Sequence, residues 1–188
     1  MSIDKISKIR EDYNKSKIDF QNVTDDPLEL FNEWFKMALD IDKDNAISFN
    51  LSTVSLENIP SSRIVLLRSI NEKGFTFFTN YTSDKAKDIE VNNIVSANFY
   101  WENLEKQVRI TGKATKISSS DSDEYFNTRP RNSQLGAWVS DQSTVISLYF
   151  KMLNKIDFFK EIFKDKNVSR PLHWGGYCIY PIKIETDH

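Results

Sequence analysis

Three segments of the chain carry side chains whose types and spacing suit the binding of anions. The first is Ser61–Arg68, in which Arg63 and Arg68 flank four apolar residues. A guanidinium group presents a planar fork of N–H donors that matches the oxygens of phosphate or carboxylate. The four apolar residues predict a strand that is buried on both faces. Taken alone, the segment is more typical of two strand-end arginines that extend their charged heads into water.

The second segment, Phe78–Lys85, predicts a strand that runs into the N-terminus of a helix. Unpaired backbone N–H groups at a helix N-terminus attract anions, and neighbouring hydroxyls and the Lys85 ammonium would add to that attraction. The simpler interpretation is that Ser83 is only the N-cap of this helix. Asp84, in addition, would repel an anion.

The third segment, Tyr125–Ser143, contains two arginines, Arg129 and Arg131, on either side of a proline, and polar donors recur along it. The pattern is too irregular for one helix, and loops of this kind on a rigid scaffold often hold ligands. The alternative is an exposed arginine pair beside a buried Trp138.

Composition disfavours several other functions. Two histidines and the single Cys178 are too few for a zinc or Cys–His site, and one cysteine allows no internal disulfide. The glycine patterns of phosphate-binding loops are absent. A net charge of −2 disfavours a nucleic-acid partner. The charged N-terminus and the lack of a long apolar stretch predict a cytoplasmic protein with no membrane partner.

Hydrophobic periodicity predicts the elements that must position these segments. Asp26 and Pro27 mark the start of a helix, and apolar residues at helical spacing continue to Leu39. Alternating residues predict strands at Ala46–Val54, Arg63–Ile70, Phe75–Thr79, Val95–Trp101, Gln107–Ile117 and from near Gly176 to Ile184. Further helices are predicted at Ser83–Val91, Asp123–Thr128 and Ser143–Phe163, with an irregular segment at Arg129–Gln142.

Together these elements predict a fold that is mainly β with helices (α+β), namely a small antiparallel barrel with peripheral helices. Residues 1–23 are polar and weakly periodic, which predicts a flexible N-terminal arm. Residues 24–188 predict a single domain, because no shift in composition marks a boundary within them.

Six short pieces of the sequence, taken in order, match a known family. They are RIVLLR (63–68), FFTN (77–80), SDKA (83–86), LEKQV (104–108), RPRNSQLGAWVSDQS (129–143) and WGG (174–176). In these pieces the chain resembles the pyridoxamine 5'-phosphate oxidases, over about residues 27–184. The resemblance implies an FMN-binding split barrel and a homodimer with the flavin at the subunit interface.

The resemblance also implies roles for individual residues, with Arg63 and Lys85 as ligands of the FMN phosphate. The implied FMN contacts are Arg63, Ile64, Val65, Leu66, Leu67, Arg68, Phe78, Thr79, Lys85, Gln107, Gln142 and Ser143. The implied substrate contacts are Arg68, Tyr125, Arg129 and Ser133, of which the last three would hold the substrate phosphate. No catalytic side chain and no metal are implied, because in this family the flavin takes a hydride from substrate C4' and dioxygen reoxidises it.

Three departures from the family pattern bear on activity. Arg68 stands where a lysine is usual, and Asp84 stands where many members have an arginine. The chain ends at His188, before the family's last tryptophan and Arg-x-His-x-Arg segment, and this truncation would impair turnover.

The predicted function is FMN-dependent oxidation of pyridoxamine or pyridoxine 5'-phosphate, a small phosphorylated pyridine, to pyridoxal 5'-phosphate with dioxygen as acceptor. Two alternatives stay open. The first is an FMN-binding protein without this oxidase activity. The second is a flavin oxidoreductase with another substrate.

Overall fold

A computed structural model of the chain describes residues 24–144 and 149–187. The helices in these residues are α1 (Pro27–Ile41), α2 (Lys43–Ala46), α3 (Asp84–Val91), α4 (Ser119–Thr128), α5 (Arg131–Val139) and α6 (Tyr149–Ile162). The strands are β1 (Ser48–Val54), β2 (Pro60–Asn71), β3 (Gly74–Asn80), β4 (Ile94–Trp101), β5 (Lys106–Lys116) and β6 (Trp174–Asp187). They pair antiparallel in a closed barrel of order β1-β2-β3-β6-β5-β4, which confirms the predicted architecture. No helix of the described residues has the length and apolar character needed to cross a membrane.

Helix α1 begins as predicted and packs its apolar stripe on the barrel core. The Asp26 carboxylate accepts a 2.8 Å hydrogen bond from a backbone N–H of the first turn. Pro27 occupies the first helical position, where a missing N–H costs nothing. The fully buried ring of Phe31 meets Phe75 and Phe99 edge-on, with centroids 4.8 and 5.1 Å apart.

Strand alternation fills the interior of the barrel, as a sheet with one buried face requires. The inward residues of β4 and β5 are Val95, Ala97, Phe99, Trp101, Val108, Ile110, Gly112 and Ala114, in agreement with the prediction. The Trp101 indole N–H donates to the Ala46 carbonyl at 3.2 Å. The largest inward side chain therefore brings its polar group to a partner inside the core.

A second, smaller cluster of buried side chains joins helices α4, α5 and α6 to the start of β6. Its members are Phe126, Leu135, Ala137, Phe163, Val168 and Trp174. The Arg131 guanidinium fastens this cluster by donating to the Phe163 carbonyl and, at 3.1 Å, to the Lys166 carbonyl. A cation at these carbonyls is favourable because they lie at the C-terminal end of α6.

The segment predicted to be irregular, Arg129–Gln142, contains helix α5, so that prediction was wrong. The Pro130 carbonyl accepts the first bonds of this helix, including one of 2.8 Å from the Ser133 N–H. Proline disfavours helical backbone in the residue before it, and Arg129 is accordingly extended, with φ −71° and ψ 145°. Two short helices thus meet at an extended residue, and their combined sequence shows no single helical period.

Several other boundaries differ from the prediction; α4, for example, begins at Ser119 and not at Asp123. The strand predicted from Ala46 begins at Ser48, because the Asp42 carboxylate caps the short helix α2 that precedes it. The helix predicted to begin at Ser143 is described only from Tyr149, as residues 145–148 lie outside the described part of the chain. The predicted N-terminal arm, residues 1–23, also lies outside it.

The four apolar residues between Arg63 and Arg68 are not buried on both faces, as the sequence pattern predicted. Leu67 is 4% exposed and belongs to the core, whereas Ile64 and Leu66 are 66% and 37% exposed. Strand β2 therefore turns one face to the barrel interior and presents apolar side chains on its outer face as well.

Replacing Phe31 by alanine should destabilise the fold by about 3–5 kcal/mol, because it removes a ring that is fully buried against the barrel core. Urea unfolding followed by circular dichroism measures the loss. Phe158→Ala is the matched control: its ring is 60% exposed, so the change should stay below about 1 kcal/mol. Equal midpoints for the two variants would contradict the role given to α1.

Candidate functional site

A cavity of about 700 Å³ opens between strands β2 and β3, the start of α3, and helices α4 and α5. The residues around it come from segments far apart in sequence, which the barrel and the second cluster bring together. Most of the predicted contact residues line it: Arg63, Ile64, Val65, Leu66, Arg68, Phe78, Thr79, Lys85, Tyr125, Arg129, Ser133, Gln142 and Ser143.

Two of the predicted FMN contacts lie away from this cavity. Leu67 faces the barrel interior because of strand alternation, and its backbone N–H donates to the Ile47 carbonyl at 2.8 Å. Gln107 lies in β5 opposite Asp187, and its side-chain amide donates to Asn98 at 2.9 Å. Within one chain, neither side chain forms part of the cavity wall.

The first cationic group of the cavity is the Lys85 ammonium, at the start of α3. It is 7% exposed and donates to the Gln142 amide oxygen at 2.9 Å and to the Ser83 hydroxyl at 3.2 Å. Burial, and then the nearby charge of Arg63, lower the pKa of Lys85 to about 8. Ser83 precedes α3 as predicted, but its hydroxyl donates to the Asn80 carbonyl and does not cap the helix.

Asp84 also lines this part of the cavity, beside Lys85. Its carboxylate accepts from the Lys87 ammonium at 3.0 Å, and both side chains are largely exposed. Its charge favours the protonated form of Lys85 and so opposes the lowering of the Lys85 pKa. Since the pair is exposed to water, solvent screens its field at the cavity.

The second cationic group of the cavity is the Arg129 guanidinium, which lies over the Trp174 ring at 4.4 Å from its centroid. The same guanidinium lies 5.5 Å from the centroid of the Phe126 ring, so two aromatic rings contact the arginine. Phe78 in turn stacks on Tyr125 at 3.9 Å and on Trp174 at 5.3 Å. Burial lowers the pKa of Arg129; Tyr125 opposes that shift, and Arg68 adds to it.

One nitrogen of this arginine has unused hydrogen-bonding capacity. Arg129 Nη1 is buried and has no hydrogen-bond partner among the described residues. A buried N–H donor without a partner is costly, so an anion that reaches this nitrogen would be bound favourably. Arg131 is different, because its guanidinium is used at the end of α6.

The turn that follows α5 is held against the opposite wall of the cavity. The Asn80 amide donates to the Ser140 carbonyl at 3.2 Å, and the Thr79 hydroxyl donates to the Gln142 amide oxygen at 3.3 Å. The Asp84 backbone N–H donates to the Ser143 hydroxyl at 3.2 Å. These bonds fix Gln142 and Ser143 beside Lys85, although both residues are exposed.

Sequence reasoning missed several residues that line the cavity, namely Ser61, Asn80, Gly136, Ala137, Ser140 and Trp174. All of them lie inside or beside segments that the motifs had singled out. Gly136 and Ala137 were missed because α5 was not recognised; helical spacing places both on the same side as Ser133. Trp174 could have been found from its position just before a pair of glycines.

Comparison with known proteins places the chain in a sequence family. The family model described as pyridoxamine 5'-phosphate oxidase matches residues 43–153. The pyridoxine/pyridoxamine 5'-phosphate oxidase of Cytophaga hutchinsonii is 42% identical over 181 residues, covering 96% of this chain and 84% of that relative. The enzyme of the same name from Haemophilus influenzae is 42% identical over 180 residues, with 96% and 85% covered.

Solved structures agree on the fold. The PhzG protein of Burkholderia lata superposes with a TM-score of 0.83 at 21% identity, covering 92% of this chain and 86% of that one. A pyridoxamine 5'-phosphate oxidase-related, FMN-binding protein of Nostoc punctiforme gives a TM-score of 0.64 at 17% identity, with 83% of each chain covered. With the sequence matches over nearly the whole chain, these likenesses establish that the protein belongs to the pyridoxamine 5'-phosphate oxidase family.

Proposed function

We propose that this protein oxidises pyridoxamine and pyridoxine 5'-phosphates to pyridoxal 5'-phosphate, with FMN as cofactor and dioxygen as acceptor. The observation that carries the proposal is a single cavity lined by two pairs of neighbouring cations. Burial lowers the pKa of Lys85 and of Arg129, and the neighbouring Arg63 and Arg68, respectively, lower these pKa values further. Like charges held this close favour bound anions, and two such pairs suit two phosphate groups.

The Arg63–Lys85 pair suits the phosphate of FMN. Both side chains line the cavity, and Lys85 is buried with a lowered pKa, a cost that a bound phosphate would offset. The exposed apolar side chains of Ile64 and Leu66 would line the flavin ring system. Gln142 and Ser143, fixed beside Lys85, would add polar contacts.

The second pair suits the phosphate of the substrate. Arg129 offers a buried, unpartnered Nη1, and Ser133 and Tyr125 line the same cavity. Arg68 lies close enough to lower the pKa of Arg129, and it would contact both the flavin and the substrate. An arginine keeps the charge of the lysine usual at this position and adds N–H donors in a planar fork.

Bound FMN would supply the redox chemistry, because a flavin can take two electrons from a substrate and pass them to dioxygen. Pyridoxine 5'-phosphate loses two hydrogens at its C4' alcohol to give the aldehyde, and dioxygen gains them as hydrogen peroxide. Pyridoxamine 5'-phosphate also consumes a water and releases ammonia. The side chains of the cavity would contribute by positioning, which can supply ~7–11 kcal/mol of a barrier.

We also propose that the active form is a homodimer in which Gln107 of one chain contacts the FMN bound in the cavity of the other chain. Within a chain, Gln107 is held at β5 by Asn98 and lies outside the cavity wall. The outer face of β2 exposes Ile64 and Leu66 beside the cavity, and apolar surface of this kind is typical of an interface that is covered. A second chain seated there would enclose the flavin on both sides.

Protein loaded with FMN should convert either phosphorylated substrate to pyridoxal 5'-phosphate with one hydrogen peroxide formed per product. Arg129→Ala should raise KM about ten- to a hundredfold, because it removes a charge-assisted bond to the substrate phosphate. Lys160→Ala is the control: it removes an exposed cation of α6 that does not line the cavity, so it should leave KM unchanged. Bound FMN without turnover, or turnover only with other electron donors, would overturn the proposal.

FMN affinity should fall about tenfold between pH 7 and pH 9, because Lys85, with a pKa of about 8 in the free protein, loses its proton over this range. A phosphate favours the protonated ammonium, so binding above the pKa must take up a proton. Fluorescence titration with FMN measures the change. Riboflavin, which lacks the phosphate, and Lys85→Arg, which stays charged, should both give flat profiles. A parallel decline for riboflavin would contradict the role of Lys85.

Mixed dimers test whether the cavity is shared between chains. Arg63→Ala and Gln107→Ala should each weaken FMN binding when purified alone. After refolding together, about a quarter of all sites should bind with wild-type affinity, because each mixed dimer of a twofold assembly contains one intact site. If Gln107 acts within its own chain, no high-affinity sites will appear in the mixture. If Gln107 has no role, the Gln107→Ala protein alone will already bind FMN with wild-type affinity.

A further inference from the structure

Arg63 does not stand alone in the cavity wall, because two buried side chains lie behind it. We propose that Asp88, acting through the Thr53 hydroxyl, is a positioning residue that holds the Arg63 guanidinium so that its free edge faces a bound phosphate. The inference rests on the proposed function, in which Arg63 binds the phosphate of FMN. It assigns a role to Thr53 and Asp88, neither of which lines the cavity.

A continuous chain of hydrogen bonds joins the three residues. Arg63 Nη1 lies 2.7 Å from Thr53 Oγ1, and Thr53 Oγ1 lies 2.6 Å from Asp88 Oδ2. A guanidinium can only donate, so the threonine oxygen must accept from Arg63. The hydroxyl has one proton, which it therefore donates to Asp88. The direction of both bonds follows from the chemistry of the groups.

Burial keeps water from replacing the hydrogen bonds of this chain. Thr53 is 0% exposed and Asp88 is 9% exposed, so water has little access to either polar group. A buried carboxylate is costly unless it is hydrogen-bonded and balanced by a cation. The hydrogen bond comes from Thr53 and the cation is Arg63, whose pKa is lowered by burial and held up by Asp88. Asp88 and Arg63 therefore stabilise each other across the threonine.

The protein binds only one edge of the guanidinium. Nη1 also donates to the Leu51 and Ser61 carbonyls, at 3.3 and 3.1 Å, and Nη2 donates to the Ser61 hydroxyl at 2.6 Å. The Nε–H and one Nη2 proton have no partner among the described residues and are left for a ligand. Two parallel donors of this kind are what a bidentate bond to phosphate requires.

Helix α3 thereby sets the position of both cations of this pair. Lys85 and Asp88 are three residues apart in α3, so they lie on the same side of the helix. Lys85 faces the cavity directly, and Asp88 acts on Arg63 from behind. A shift of α3 would move the ammonium and the guanidinium together, which preserves the spacing that one phosphate needs.

Thr53→Val tests the proposal, because valine has the shape of threonine but cannot accept from Arg63. The variant should weaken FMN binding about tenfold and leave riboflavin binding unchanged. Thr53→Ser, which keeps the hydroxyl, should restore most of the affinity. In an Arg63→Ala background, Thr53→Val should cause no further loss, because the interaction it removes is already gone. Equal losses for both flavins, or additive losses in the double variant, would overturn the proposal.

A measurement without ligand separates this proposal from the proposed function. In nitrogen-15 NMR spectra of the free protein, the Arg63 Nη1 protons should be resolved and exchange slowly with water, and Arg63→Lys identifies them by their disappearance. Thr53→Val should change these signals and speed their exchange with water, because only the Leu51 and Ser61 carbonyls then hold Nη1. Asp88→Ala should act in the same direction, because it removes the acceptor that orients the Thr53 hydroxyl. Thr53→Ser should keep the signals as they are. Unchanged signals in Thr53→Val would overturn the positioning role whatever flavin binds. Failure of the wild-type protein to bind FMN would overturn the proposed function, and the NMR comparison would still decide the role of Thr53 and Asp88.

Discussion

Cations of like charge held close together in a partly buried cavity oppose folding, and the rest of the structure has to offset that cost. Lys85 is almost fully buried, and Arg129 has a buried nitrogen with no partner among the described residues. Both groups lose hydration, and each is further disfavoured by a neighbouring arginine. Such an arrangement persists only if rigid elements prevent the side chains from moving apart, and it yields a site that gains most when an anion binds.

The fold supplies that rigidity in a different way for each pair. Arg63 is anchored from behind by Thr53 and lies on a strand whose core-facing neighbour, Leu67, is packed inside the barrel. Arg129 is the extended residue between α4 and α5, and its guanidinium packs on the face of the Trp174 ring. The first pair thus depends on the barrel, and the second depends on the smaller cluster that joins the helices to β6.

Local sequence signals predicted much of this, and failed where the outcome depends on contacts between distant segments. The start of α1, the alternation of β4 and β5 and the closed barrel followed from periodicity and capping. Helix α5 was not predicted, because Pro130 and the extended Arg129 interrupt the helical period just before it begins. The exposure of Ile64 was not predicted either. A run of apolar residues has the same sequence pattern whether the outer face of its strand packs on a core or lines an open cavity. Thr53 and Asp88 carry no motif, and only the packing of α3 on β1 reveals them.

Asp84 shows why a departure from a family pattern must be judged by its surroundings. Asp84 lies beside the proposed phosphate site, where many family members have an arginine, and this exchange predicts repulsion of a bound anion. That repulsion would act only once an anion is bound. In the free protein, the Asp84 charge holds up the pKa of Lys85 and so keeps more of the ammonium protonated. Its carboxylate also turns to Lys87 in water, which screens its field. The support of the Lys85 ammonium and the screening by water both offset the repulsion of an anion. An aspartate at position 84 would therefore weaken anion binding by less than the change of charge alone implies.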